Sequence, residues 1–455
     1  MQITTWDLDQ ILTLDQFDVQ FKTLSLGLVR YQKLFSNLVH TQSNLNFRKF
    51  ILAYETDLEM INRLYARAML WEETDQTEPK AKYLKGKVKN LIVDFETQTR
   101  PVWLWIKGKK IENKSVLTEN VARKLFSSLP KLEYFISRER SLARYNLSDA
   151  EESIILRKDM TGTQALLDLR SLIETEQRYP LEIKGHKKTI STIAGMTSYF
   201  QSPDRSIRQK AYNSLLTEFR RNQGKYFLIY DSIVKDWAYE AKQRKYKSAI
   251  NLRNVDNDIP DQAIADLMAV TQKNRPVFTE FFNWKARRLG LKKLTRYDLH
   301  APFKKKVTEK IPYGKARELV LEVLAQADKD FRAKAGQIIE QEHIDALPDP
   351  KKSSGGFCLT ISSKIAPYIL LNYAGAKRDV MVLAHELGHG IHSIYSSGQS
   401  ILTLDAPLIL AETASTLSEN LVFDHLLSRA KNETERAELL SDKISDIYAT
   451  IVKQI

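Results

Sequence analysis

The chain carries a single cysteine, Cys358, in 455 residues. One thiol closes no intramolecular disulfide, so a disulfide-stapled secreted scaffold is excluded and nothing asks for an oxidising compartment. Glycine (16) and proline (13) are scarce as well, roughly half of the usual ~7% and ~5%. Few turn residues mean few turns and long elements, which argues for helices and against a β-sandwich or a propeller. No run approaches the ~18 apolar residues of a membrane span. The start, Met1-Gln-Ile-Thr-Thr-Trp-Asp7, has no basic segment ahead of an apolar one, as a secretory signal would. The expectation is a soluble, cytoplasmic protein with no membrane partner.

What is present is ordinary for a globular chain: 43% hydrophobic and 27% charged residues, too apolar for disorder. Lys and Arg outnumber Asp and Glu by 69 to 56, a net charge of +13. That surplus raises the alternative of a basic helical nucleic-acid-binding protein. Its densest clusters, Lys304-Lys-Lys306, Arg287-Arg288 and Lys292-Lys293, are short and lack a binding module or interleaved aromatics. They read as solvated faces, and no nucleic-acid partner is expected.

Phe47, Ile51, Tyr54, Leu58, Ile61, Tyr65 and Ala68 recur at a spacing of 4, 3, 4, 3, 4, 3, which lines them along one helical stripe. Similar patterns over 8–40 and 80–98 predict antiparallel helices with short connections. Pro101 with Lys107–Ser115, and Tyr179-Pro180 through Gly185, interrupt the pattern. Tyr226, Tyr230, Ile233 and Trp237 carry a later helix, Tyr297–Pro302 a loop, and Tyr313 to Gln341 one long amphipathic helix. Two runs, Phe357–Ile361 and Pro367–Tyr373, are rich in strand-favouring residues and follow Pro- and Gly-rich loops.

Directly after those runs comes His385-Glu386-Leu-Gly-His389-Gly-Ile-His392. Val380, Ala384, Leu387, Ile391 and Ile394 form the apolar stripe of its helix. Residues four apart on a helix stand about 40° apart and one turn up, so His385 and His389 can reach one metal ion. Glu386, one step round, can face a metal-bound water rather than the metal. This is the zinc-hydrolase spacing, matched by chance on the order of 0.01 times in such a chain.

A catalytic zinc needs a third protein ligand. Position 395, where a third histidine would complete one known arrangement, is Tyr. His392 is two turns from His385, and helix rise assigns it a supporting or packing role. A second helix after Asp405-Ala-Pro407 carries Glu412 and Glu419, seven apart and on one face. Either carboxylate can be the ligand. Glu412 is preferred, with Glu419 orienting a ligating imidazole through a hydrogen bond. Ala411, Ala414, Ser415 and Gly388 are small enough for the two helices to approach closely. Cys358 reads as a buried small apolar residue.

The block His385–His392, followed by Ala411-Glu-Thr-Ala-Ser-Thr416 and Glu419, resembles the oligoendopeptidase F branch of the thimet-oligopeptidase-like zinc metallopeptidases. Gly355-Gly-Phe-Cys358, Pro367–Tyr373 and Tyr297–Pro302 are similar to further blocks of that family. The resemblance implies a mainly α, two-lobed fold around a deep channel, with a small β-sheet next to the metal-binding helix. It implies a zinc-dependent metalloendopeptidase hydrolysing short peptides, with one Zn2+ per chain. His385, His389 and Glu412 would hold the zinc, and Glu386 would be the general base for a zinc-bound water. The expected domains are an N-terminal helical hairpin region (1–109), a helical oligopeptidase-type lobe (110–187) and the catalytic domain (188–455). Family chains continue beyond the segment resembling Asp442–Ile455, so the resemblance also implies that the family's C-terminal segment is lacking. A catalytically impaired zinc-binding fragment is the alternative reading.

Overall fold

The computed structural model describes residues 5–111, 114–303 and 310–454. Residues 1–4 of the N-terminal stretch, the Lys304–Lys306 cluster and Ile455 lie outside the described residues. The fold is mainly α, with five short strands among the described residues: β1 (Tyr179–Ile183), β2 (His186–Ile190), β3 (Ile344–Asp345), β4 (Phe357–Leu359) and β5 (Tyr368–Leu370). The chain divides into two compact units, one of Met1–Leu156 with Lys310–Val422, the other of Arg157–Glu309 with Phe423–Ile455. Each compact unit gathers stretches distant in sequence.

In the first unit, the helix Asn44–Thr74 starts where the Ser43 hydroxyl accepts the Asn46 N–H, a side-chain cap for an otherwise orphaned donor. Its stripe is inward: Phe47, Ile51, Ile61 and Ala68 are buried, and Tyr54, Leu58 and Tyr65 pack against the same core. The helix Pro79–Ile106 lies against it, opened by proline at the first position, where no backbone N–H is needed. Tyr31 meets Phe50 and Phe95 edge-on, and Phe35 meets Trp105 likewise. Each such ring contributes about 1.5–3 kcal/mol by leaving water. One charge is buried among them: Asp57 accepts from the Tyr31 hydroxyl at 2.8 Å and pairs with Arg30 at 2.5 Å.

The sheet of this unit has the order β3-β5-β4, parallel between β3 and β5 and antiparallel between β5 and β4. All three residues of β5 are fully buried, as a central strand covered on both faces should be. Both strand expectations near 357 and 367 are met, although the observed strands are shorter. Buried Lys352 holds the loop after β3, donating to the Asp345 carboxylate and to the backbone oxygens of Asp345 (3.1 Å) and Leu347 (2.9 Å).

In the second unit, β1 and β2 form a hairpin through Lys184 (φ 49°) and Gly185 (φ 81°), the left-handed pair that a two-residue turn requires. The segment 179–185 is therefore more than a break between helices. Asp298, fully buried, accepts from Arg205 (3.1 Å on each oxygen), Arg208 (2.9 Å) and the Thr295 hydroxyl (2.6 Å). Burial alone would raise its carboxyl, but these hydrogen bonds hold it well below the usual carboxylate range. The Tyr297–Pro302 block is thus built around a buried ionic knot.

Three expectations need correction. Pro101 does not interrupt its helix, which runs through it to Ile106. The buried Val102, Trp105 and Ile106 hold the last turn in place despite the lost N–H. The segment Tyr313–Gln341 is two helices, Tyr313–Ala327 and Lys329–Glu340, parted at Asp328. Asp328 is extended (φ −159°) and its carboxylate caps the second helix at the Asp330 N–H, a local bond that apolar periodicity does not register. The helix Gln223–Gln243 exists, yet Tyr230 on the expected stripe is 70% exposed while neighbouring Ile229 is buried.

Candidate metal centre

The helix Lys377–Ser396 is anchored at both its start and its apolar side. The Asp379 carboxylate accepts the backbone N–H groups of Ala374 (2.9 Å) and Ala376 (3.0 Å), a negative charge placed where the helix dipole favours it. Val380, Leu383, Ala384, Leu387 and Ile391 are buried. With that stripe fixed, His385 and His389 share another face, half-buried, their ring centroids 4.9 Å apart.

The helix Leu408–Ser428 passes across them. A Cβ built on Gly388 would lie 2.6 Å from the Ala414 carbonyl oxygen and 2.7 Å from the Ser415 Cα. Only glycine lets the two backbones meet at that point. As a result Glu412 Oε2 lies 3.1 Å from His385 Nε2 and 3.4 Å from His389 Nε2. Glu419 Oε2 lies 3.3 Å from His385 Nδ1, where it accepts from the Nδ1–H tautomer and leaves Nε2 to face Glu412. Burial opposes the charge of His385, but the hydrogen bond to Glu419 and the charges of Glu386, Glu412 and Glu419 outweigh it and raise its pKa. Burial keeps the pKa of His389 low.

Glu386 is paired with none of His385, His389 and Glu412 and is 6% exposed. Burial pushes its carboxyl up to about 7, with the His385 charge pulling the other way and Glu412 adding to the rise. A Cβ on Gly356 would come 3.2 Å from Glu386 Oε1, and the Cys358 thiol, raised by burial, also feels the Glu386 charge. The carboxyl therefore lies beside the loop leading into β4. His392 makes no hydrogen bond or ion pair with the described residues, though its ring opposes protonation of His389.

Ligand atoms of His385, His389 and Glu412 all lie within 4.8 Å of one another. Ligands bonded at ~2.0–2.1 Å around a tetrahedral zinc stand about 3.3 Å apart, close to the 3.1 and 3.4 Å observed. Two imidazoles and one carboxylate suit zinc in donor type, and the two imidazole–carboxylate separations suit its spacing. The sequence presents Ser415 only as a small packing residue, yet its hydroxyl donates to Glu412 Oε2 at 2.8 Å. Its place in the Ala-Glu-Thr-Ala-Ser run signalled close packing and nothing about that bond.

The sequence model of peptidase family M3 matches residues 198–455. The chain belongs to peptidase family M3. This M3 chain is a peptidase, of a family whose members are generally metallopeptidases. It is 25% identical to an oligoendopeptidase F homolog of Lactococcus lactis subsp. lactis, over 99% of this chain and 74% of that protein. It is 24% identical to the oligopeptidase PepF of Bacillus subtilis, over 99% of this chain and 66% of that one. The crystal structure of oligoendopeptidase-F from Enterococcus faecium shares the fold, with a TM-score of 0.67 at 21% identity, covering 98% of this M3 chain and 73% of that one. Among the described residues, no helix of the M3 chain is long and apolar enough to cross a membrane.

Proposed function

We propose that this M3 peptidase is a zinc-dependent oligoendopeptidase that hydrolyses short peptides in the cytoplasm, with its catalytic domain within 188–455. The observation that carries the reading is the meeting of His385, His389 and Glu412 within 4.8 Å, next to a buried carboxyl, Glu386, that belongs to no ligand pair. When bound there, zinc supplies Lewis acidity, polarising a carbonyl and making water acidic near neutral pH.

The chain's own residues do the rest. Glu419 fixes the tautomer and plane of His385, so that Nε2 keeps its direction. Glu386 takes a proton from the attacking water at a carboxylate oxygen and gives it to the departing amine. A carboxyl raised by burial is suited to both halves of that exchange, because its proton affinity lies near the working pH. Among the strands, β5 has neighbours on both sides, whereas β4 is an edge. β3 is the other edge of that sheet; a peptide pairing along β4 would lie beside Glu386, and backbone pairing would hold it with little regard for side chains. The basic pairs Arg287-Arg288 and Lys292-Lys293 are exposed and serve solubility, not nucleic-acid binding.

Glu386→Gln tests the roles. The variant keeps the shape and loses the basicity, so zinc should stay near one per chain while cleavage of a fluorogenic peptide falls by orders of magnitude. Loss of the metal, or cleavage at the wild-type rate, would refute the assignment.

A further inference from the structure

Glu412 stands out among the three candidate ligands because its side chain is 60% exposed, against 25% and 21% for the two imidazoles. An exposed carboxylate near the start of a helix samples several rotamers, and most of them would carry its oxygens away from His385 and His389. Yet one oxygen faces both imidazoles. The residue that hydrogen-bonds that oxygen is closed off from solvent.

Ser415 is fully buried, one helical turn after Glu412, and its Oγ lies 2.8 Å from Glu412 Oε2. That is the same oxygen that lies 3.1 and 3.4 Å from the two imidazole nitrogens. The Ser415 hydroxyl has one proton and two nearby acceptors, since the Glu412 carbonyl oxygen is 3.0 Å away. Thr416 already donates its hydroxyl to that carbonyl, so the Ser415 proton is best used on the carboxylate, where the acceptor is charged and the contact shorter. A carboxylate oxygen has lone pairs for a hydrogen bond and a metal together.

Ser415 is itself placed by backbone contact. Its Cα is one of the atoms that a side chain at position 388 would strike, at 2.7 Å. Gly388 lies between the two histidines, so the donor that aims the carboxylate is registered against the helix that carries the other two ligands. We propose that Ser415 is a positioning residue for the third metal ligand: its hydroxyl pins the Glu412 oxygen that faces both imidazoles, at a point where Gly388 fixes the distance between the helices. This rests on the proposed zinc site and adds to it a residue that neither binds metal nor meets substrate.

The test compares Ser415→Ala with Ser418→Ala. Ser418 is buried on the same face (3% exposed), and its Oγ lies 2.8 Å from the same built Cβ, but it makes no bond to Glu412. Both variants delete one buried hydroxyl; one also frees the ligand. Zinc would be stripped from the full chain, affinity measured by competition with a chromophoric chelator, and the visible spectrum of the cobalt-loaded forms recorded. Ser415→Ala should lose affinity ~10–100-fold, as for other partners behind a ligand, and shift the cobalt bands. Ser418→Ala should leave both as in the wild type. Equal affinities and spectra for Ser415→Ala and a wild type that binds one zinc would overturn the proposal, and so would an equal loss in Ser418→Ala, which would make the effect one of packing. A wild-type chain that takes up no zinc would overturn the metal site itself, an outcome separate from either.

Discussion

Gly388→Ala decides between two opposing effects. In a helix interior alanine is better than glycine by about 0.8–1.0 kcal/mol, so the substitution should stabilise the chain wherever there is room. At position 388 there is none: the new Cβ would lie 2.7 Å from the Ser415 Cα and 2.6 Å from the Ala414 oxygen. Both are backbone atoms, which no rotamer change can move. To reach the ~3.5 Å at which carbon atoms attract, the helices must part by roughly 0.8 Å. Overpacking of this kind costs about 1–3 kcal/mol, which exceeds the propensity gain. Gly86 is the control. It lies inside the helix Pro79–Ile106, and a Cβ there would meet nothing within 4 Å. Denaturant unfolding of the metal-free proteins should therefore place Gly86→Ala above the wild type by up to ~1 kcal/mol and Gly388→Ala below Gly86→Ala by ~1–3 kcal/mol. The same parting carries the Glu412 oxygen away from the imidazoles, so Gly388→Ala should also bind zinc more weakly. A Gly388→Ala protein as stable as Gly86→Ala, with unchanged zinc affinity, would refute the close-contact argument.

Other outcomes follow from the same geometry. Glu412→Ala should sharply weaken zinc binding, and Glu419→Ala should weaken it less, by ~10–100-fold; the reverse order in a metal-competition titration would make Glu419 the ligand. His343, far from the metal centre in sequence, supplies a pH dependence. It is buried, stacked on Tyr368 with 3.9 Å between centroids, and its Nδ1 is hydrogen-bonded to the Ala366 oxygen at 2.9 Å. Burial lowers its pKa below that of the unfolded chain, only partly offset by backbone hydrogen bonds. The unfolded state therefore binds the proton first, and stability falls as pH drops below ~6.5. His343→Gln should flatten that fall by up to about 1.4 kcal/mol per pH unit; identical slopes for variant and wild type would show that the ring is not held neutral.

The sequence carried the parts of this structure that periodicity encodes. The helix with His385 and His389 was legible because its apolar stripe fixes which face the imidazoles occupy. Glu412 and Glu419 were legible as a pair because seven residues bring a helix back to the same face. The rest was hidden for physical reasons. Asp328 ends one helix and caps the next through a single local bond, while the apolar pattern runs on across it. Pro101 is tolerated because the residues after it are buried, which is a tertiary fact. The first compact unit joins residues before 157 to residues after 309, and no local signal announces such a return. Ser415 reads as a small packing residue until the 2.8 Å contact with Glu412 gives it a direction.

The most direct test of the account is metal content and activity measured on one preparation. The purified chain should contain close to one zinc, cleave a quenched fluorescent peptide, lose that cleavage on treatment with a chelator, and regain it when zinc is returned. Cleavage that continues undiminished after the zinc has been removed would contradict the central claim that His385, His389 and Glu412 hold the ion on which hydrolysis depends.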